Sequence, residues 1–249
     1  MPCGGCGHGA AGTTRRRCWS PTRRDSPRTR SAAPRSSWSA ACSPPPGGRR
    51  PRTRCAEDAL RAAEALAGDN DERGAAACER GQLAYAATVL GVRDRADEAR
   101  SALGRAAALL APAAPGRPML DFRRGLMAEH VADSPESARA AYRRAHAGAT
   151  AHGDTLLLSF TWRHLAGLAL RDGELAEARH GFGESLRIRE ELGFLVGTAP
   201  ALVALADAAP PEEAAGLRAE AARLFRLMGG VPTWLAEHLA DVPAAPAPS

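Results

Sequence analysis

The sequence predicts an all-α protein whose helical hairpins stack into a solenoid. The chain has 249 residues and is 45% hydrophobic but only 4% aromatic, and much of its apolar content is alanine. This composition suits thin layers of closely packed helices better than a large globular core. Apolar residues follow the helical period within each segment, and the segments themselves recur at a near-constant spacing. We therefore expect about four helical hairpins preceded by a partial repeat.

The recurrence is clearest at positions that would face each other across a hairpin. Alanines recur at a spacing of about 40 residues, at Ala59, Ala99, Ala138, Ala178 and Ala221. One helical turn after each of them stand Ala63, Leu103, Tyr142, Phe182 and Phe225. Between these segments, Phe122, Trp162 and Leu202 follow one another at the same spacing. Self-similarity at such a period is typical of stacked helical arrays.

The segment around Trp162 contains both helices of one unit. One helical face carries Trp162, Leu165, Ala166 and Ala169; a break follows at Asp172-Gly173, and a second face carries Ala178, Phe182 and Ser185. This segment resembles the tetratricopeptide repeat, whose pattern is W-x2-L-G-x2-Y followed by A-x3-F. Alanines replace the glycine and tyrosine of that pattern here, and Ser185 replaces a usual alanine. We expect Trp162 to lie between its own hairpin and the preceding one.

The elements follow in order from periodicity and breakers. A short helix is predicted over 56–67, and its hairpin partner is missing. Hairpins are predicted over 73–91 with 95–111, 117–132 with 135–151, 155–171 with 174–192, and 196–208 with 211–228. A short closing helix over 231–239 would cover the last layer with Trp234, because the open end of a solenoid needs a cap.

The two ends of the chain lack helical periodicity. Residues 1–54 are rich in Arg, Ser, Pro and Gly, so we expect a disordered tail; an alternative is a misassigned or frameshifted start, since GC-rich DNA read out of frame gives such a composition. Residues 55–240 form the predicted repeat domain, and residues 241–249 a disordered Pro/Ala tail. Cys3-x2-Cys6 with His8 is only half of a zinc motif, so no metal site and no cofactor are predicted.

Charge and motifs restrict the function classes. Residues 1–54 contain 12 arginines and one acidic residue, whereas residues 55–249 contain 21 arginines and 27 acidic residues. Nucleic-acid binding, for which Trp19 and Trp38 could stack on bases, would therefore depend on the tail, and it is the alternative function.

No apolar run reaches the roughly 20 residues of a membrane span, and no signal peptide is visible, so a cytoplasmic location is expected.

No catalytic motif is present in the sequence. A phosphate-binding loop requires lysine, which the chain lacks, and there is no G-x-S-x-G. We therefore expect a non-enzymatic protein. A second rival is an enzyme with an unrecognised helical active site, which two or more buried ionisable groups in contact on the concave face would favour.

The resemblance implies that the first helix of each hairpin lines a concave, partner-binding face. By register this face comprises Thr88, Arg123, Met127, His130, Arg163, Arg171 and Asp207. Relatives that clamp a peptide carboxylate combine basic residues with asparagines, whereas this chain has a single asparagine, Asn70. We expect Arg123 and Arg163 to project side by side towards an anionic group of a protein or peptide partner.

The long repeats also resemble those of large ATP-binding transcriptional regulators of GC-rich bacteria. The sequence leaves the oligomeric state open.

Overall fold

The computed structural model describes residues 52–232 together with Leu235, Ala236 and Leu239, with only the backbone described over 52–54. The regular structure of this part is helical, so the all-α prediction is confirmed. Its nine α-helices are α1 (Arg52–Leu66), α2 (Asn70–Val89), α3 (Ala96–Leu109), α4 (Arg117–His130), α5 (Pro135–His152), α6 (Thr155–Arg171), α7 (Leu175–Glu191), α8 (Leu195–Asp207) and α9 (Pro211–Leu227).

The eight helices predicted in hairpins are confirmed to within three residues at each end. One correction concerns α1, which begins at Arg52 and so includes three residues assigned to the predicted tail. Nothing in Arg52-Thr53-Arg54 breaks a helix, so the helix extends back to the residue after Pro51. The rest of that tail, the closing Trp234 and the predicted C-terminal tail lie outside the described residues.

Glycines set the lengths of the central helices. Gly153, Gly173 and Gly193 are evenly spaced along the chain, and their φ angles of 68°, 82° and 63° are left-handed. Such a conformation ends a helix and suits glycine, which has no Cβ to clash. The side chain of Asp154 then caps α6 by accepting a 3.0 Å hydrogen bond from the backbone N–H of Leu157. Two helices of 17 residues, α6 and α7, result from this spacing.

Each helix packs mainly on its neighbours in sequence. The pairs α2–α3, α4–α5, α6–α7 and α8–α9 form the closest contacts, and α5–α6 and α7–α8 join one pair to the next. The core between paired helices includes the repeat positions: Ala99, Ala138, Ala178 and Ala221 are fully buried. The large residues one turn later, Leu103, Tyr142, Phe182 and Phe225, are buried against them. These four later pairs of predicted repeat positions therefore lie in the core. The first pair does not, because Ala59 is only partly buried and Ala63 is exposed. None of the described helices has both the length and the apolar character needed to cross a membrane.

Trp162 lies where the pattern predicts. Its ring is half-buried and contacts two histidines edge-to-face, His146 of α5 at 4.8 Å and His180 of α7 at 5.4 Å between ring centroids. It therefore bridges its own hairpin and the preceding one. Gly181 of α7 allows this close packing, because a Cβ there would lie 2.9 Å from that of Ala166.

Candidate functional site

A pocket of about 330 Å³ opens between the first helices of three successive hairpins, α4, α6 and α8. Three residues predicted for the partner-binding face line it, one from each helix: His130, Arg163 and Asp207. The apolar part of its wall is made by Leu170, Phe182, Pro200, Val203, Ala204 and Leu235. A largely apolar wall with a few convergent polar groups is typical of a binding site of this size.

Glu129 is the centre of the polar groups at one end of the pocket. Its side chain is only 8% exposed, and its Oε2 accepts a 2.6 Å hydrogen bond from the hydroxyl of Tyr142. Nδ1 of His164 lies 2.9 Å from the same oxygen, and Arg171 donates a 2.7 Å bond to Oε1. Nε2 of His130 lies 3.6 Å from Oε2, beyond hydrogen-bonding distance. The carboxylate thus joins α4, α5 and α6.

The surroundings of Glu129 keep it ionised. Burial alone would raise its pKa, but the hydrogen bond and positive charge of His164, together with the hydrogen bond from Tyr142, outweigh burial and lower the pKa to about 2. Burial also lowers the pKa of His164, so this ring is neutral at pH 7, and its charge acts on Glu129 only in acidic solution. Burial and the facing carboxylate raise the pKa of the Tyr142 phenol far above its usual value. At neutral pH Glu129 is therefore a carboxylate that is held by two neutral donors, His164 and Tyr142, and by the charged Arg171.

Two largely buried guanidinium groups, those of Arg163 and Arg189, lack a carboxylate partner among the described residues. Arg163 lines the pocket and makes no hydrogen bond or ion pair within 52–232. Burial lowers its pKa, and the charges of Glu129 and Asp207 partly offset this effect. Arg189 of α7 is buried and donates a 2.8 Å bond to the carbonyl oxygen of Gly197. Burial and the charge of Arg163 lower the pKa of Arg189 to about 10. Because arginine stays protonated in proteins, the positive charge of Arg163 favours an anion in the pocket.

Arg123 does not join Arg163 in this pocket. Its guanidinium donates a 2.7 Å bond to Glu79 of α2 and lies 3.2 Å from the sulfur of Cys78, and its side chain is only 11% exposed. The repeat explains the difference, because the residue that corresponds to Glu79 one repeat later is Met119, which cannot pair with Arg163. Of the expected basic pair, only Arg163 lies in the pocket, and it has no ion-pair partner among the described residues.

The remaining predicted residues occupy different surroundings. Arg171 contacts the buried carboxylate at the rim of the pocket, and Asp207 accepts a 3.0 Å bond from Arg218 of α9. Met127 is buried in the core. Thr88 accepts a bond from a backbone N–H of the α2–α3 loop and does not line the pocket. Of the seven predicted residues, the structure brings three into the pocket and places a fourth beside it.

Sequence reasoning missed Glu129, His164 and the polar role of Tyr142. The repeat register did not connect them, because the separation of Glu129 and His164 along the chain is shorter than the repeat. One signal was present in the sequence. Glu129 directly follows the apolar run Leu126-Met127-Ala128, in which Leu126 and Met127 are buried. A carboxylate in that position needs donors from a neighbouring helix.

No protein-family model matches the chain, and no curated protein matches it either. The resemblance to tetratricopeptide repeats therefore stays a prediction from the sequence pattern.

Proposed function

We propose that this chain is a non-enzymatic protein-interaction module, a solenoid of tetratricopeptide-like hairpins that binds a segment of a partner protein on its first-helix face. The observation that carries the proposal is the pocket between α4, α6 and α8, which crosses three successive hairpins. Its apolar wall would accept side chains of the partner, and Gly167 leaves room for them, since nothing lies within 4 Å of where its Cβ would be.

The partner segment presents an anionic group to Arg163. A guanidinium that is partly removed from water and lacks an ion pair among the described residues gains most from a carboxylate or phosphate, which it can grip through two hydrogen bonds. Residues 55–249 hold more acidic residues than arginines, so a long polyanion would be repelled by the surroundings. This contrast supports a local anionic group on a protein over nucleic acid, which remains the function that the Arg-rich tail would provide.

An enzymatic alternative has a specific observation in its favour. Glu129 and His164 are ionisable, largely buried and in contact, which is the condition that would favour a helical active site. Their pKa values, however, move away from neutrality, to about 2 for Glu129 and downwards for His164. General acid–base catalysis works best with a pKa near the working pH. The cluster therefore supports a structural and binding role better than proton transfer.

The biological setting that we propose rests on the resemblance alone. The long repeat period, together with the segment Leu186-Arg187-Ile188-Arg189-Glu190-Glu191-Leu192-Gly193, is similar to that of the repeat halves of large ATP-binding transcriptional regulators. The chain would then supply the partner-sensing surface of such a regulator.

Filling the pocket tests the proposed binding face. Peptides are first selected with the full chain from a random library displayed with free C-termini, and affinities are then measured by fluorescence anisotropy. We expect Gly167→Leu to weaken binding at least about tenfold, because the new side chain occupies the pocket. The matched control is Gly216→Leu, on an exposed part of α9 whose Cβ also meets open space. Equal affinities for the two variants would contradict binding in this pocket.

A further inference from the structure

Two imidazole rings converge on one oxygen of Glu129. Nδ1 of His164 lies 2.9 Å from Oε2 and Nε2 of His130 lies 3.6 Å from it. One ligand atom from each of the three residues lies within 4.8 Å of the others. His130 makes no hydrogen bond among the described residues, so its nitrogen has no other use there. Such a convergence of two nitrogens and one carboxylate oxygen is a set that transition metals bind.

The distances suit a tetrahedral ion. Metal–ligand bonds of about 2.0–2.1 Å place tetrahedral ligand atoms about 3.3 Å apart. The two distances from Oε2, 2.9 and 3.6 Å, lie on either side of that value. The remaining separation, between the two rings, has to close by rotation of His130, whose side chain is 38% exposed and free to turn.

We infer that Glu129, His130 and His164 bind a divalent transition-metal ion, of which Zn²⁺ is the best match to two imidazoles and one carboxylate. All three ligand residues line the pocket, so water or an anionic group in the pocket can take the fourth position. Binding through Nδ1 of His164 moves the single proton of the neutral ring to Nε2, so the ring neither gains nor loses a proton. The bond from Arg171 to Oε1 and that from Tyr142 hold the carboxylate in place.

Two neighbouring arginines, Arg171 and Arg163, carry positive charge that opposes the binding of a metal ion. The side chain of Arg171 is 49% exposed, so solvent screens much of its charge. Arg163 lies in the pocket beside the proposed ligands and is less well screened. Removing its charge should leave metal affinity unchanged or raise it, whereas it should weaken an anionic peptide. The metal site does not depend on the proposed function, and Arg163→Gln separates the two.

The test measures Zn²⁺ binding to the full chain under reducing conditions, by bound equivalents at equilibrium and by the rise in melting temperature that a ligand of the folded state produces. The key variant is His130→Ala, which removes a partly exposed side chain without opening the core. The matched control is His152→Ala, an exposed histidine at the end of α5. Zinc bound by cysteines contributes equally to the wild type and to both histidine variants, so it cancels in the comparison.

We expect His130→Ala to lose one bound equivalent of Zn²⁺ or at least about tenfold in affinity, and most of the metal-dependent rise in melting temperature. His152→Ala should match the wild type, and Arg163→Gln should bind zinc as tightly or more tightly. An equal zinc response of His130→Ala and His152→Ala would overturn the site, as would a wild-type chain whose melting temperature does not respond to zinc. A loss of zinc binding in Arg163→Gln would also contradict it.

Discussion

The hydroxyl of Tyr142 donates a 2.6 Å hydrogen bond to the carboxylate of Glu129, from the second helix of a hairpin to its first. Tyr142 occupies the large repeat position, one turn after the fully buried Ala138. The same side chain therefore fills the core of the repeat and supplies a donor to the polar end of the pocket. Packing and the candidate site are coupled through this one residue.

Removing that donor should destabilise the fold by a measurable amount. Tyr142→Phe keeps the ring but leaves a largely buried carboxylate with one fewer hydrogen bond, which costs about 1–3 kcal/mol in the free energy of unfolding. The chain contains one other tyrosine, Tyr85, which is partly buried and makes no hydrogen bond through its hydroxyl among the described residues. Tyr85→Phe should therefore cost much less. Urea unfolding of both variants checks the difference, and equal costs would mean that the bond adds no stability.

A second prediction concerns the close approach of α4 and α5. A Cβ on Gly125 would lie 2.4 Å from the ring of Tyr142, so Gly125→Ala must displace that ring and its hydrogen bond. We expect a loss of about 1–3 kcal/mol in unfolding free energy, as is usual for an overpacked core. Gly104→Ala, inside α3 where the added Cβ meets open space, should instead stabilise by about 0.5–1 kcal/mol. Opposite signs for the two substitutions are the result to look for in thermal or urea unfolding.

The third prediction is a pH dependence set by Glu129. Its pKa of about 2 in the folded chain lies below the ordinary value of 4.5, so its ionised form stabilises the fold fully above about pH 4.5. That contribution, on the order of 3 kcal/mol, is lost as the pH falls from 4.5 towards 2. Glu129→Gln should flatten the fall in stability over this range, measured with a chelator present. Glu190→Gln, which alters an exposed carboxylate on α7, should retain the wild-type slope.

The fourth prediction concerns Trp162. Trp162→Ala should cost about 3 kcal/mol, the lower end for such a truncation, because the ring is half-buried between His146 and His180. Because each helix packs mainly on its neighbours in sequence, amide hydrogen exchange should increase first in α5, α6 and α7. An unchanged melting temperature would show that this ring does not join the two hairpins.

The sequence predicted the helices well for a physical reason. Gly153, Gly173 and Gly193 terminate helices through backbone geometry that their own residue type determines, and the alanine positions are selected by close packing of the two helices of a hairpin. Both effects are local or recur with the repeat, so a pattern in the sequence reveals them.

The site was predicted only in part because it depends on contacts that the repeat does not impose. Register treats Arg123 and Arg163 as equivalent, yet their surroundings differ, since Glu79 pairs with the first and Met119 stands at the matching position for the second. Likewise, the contact of Glu129 with His164 crosses from one hairpin to the next at a spacing outside the period. Such contacts depend on how far successive hairpins shift relative to each other, which a pattern of single residues does not encode.

The most direct test of the central claim is the affinity of a selected peptide for the Arg163→Gln chain, measured with the peptide as free acid and as C-terminal amide. The comparison variant is Arg187→Gln, whose half-exposed guanidinium on α7 pairs with Glu184 and Glu191 away from the pocket. If Arg163 grips the carboxylate, Arg163→Gln weakens the free acid by about 1–3 kcal/mol, roughly 5- to 150-fold, and binds acid and amide equally. Arg187→Gln should keep the wild-type preference for the acid. An Arg163→Gln chain that still prefers the acid as strongly as Arg187→Gln does would contradict the account.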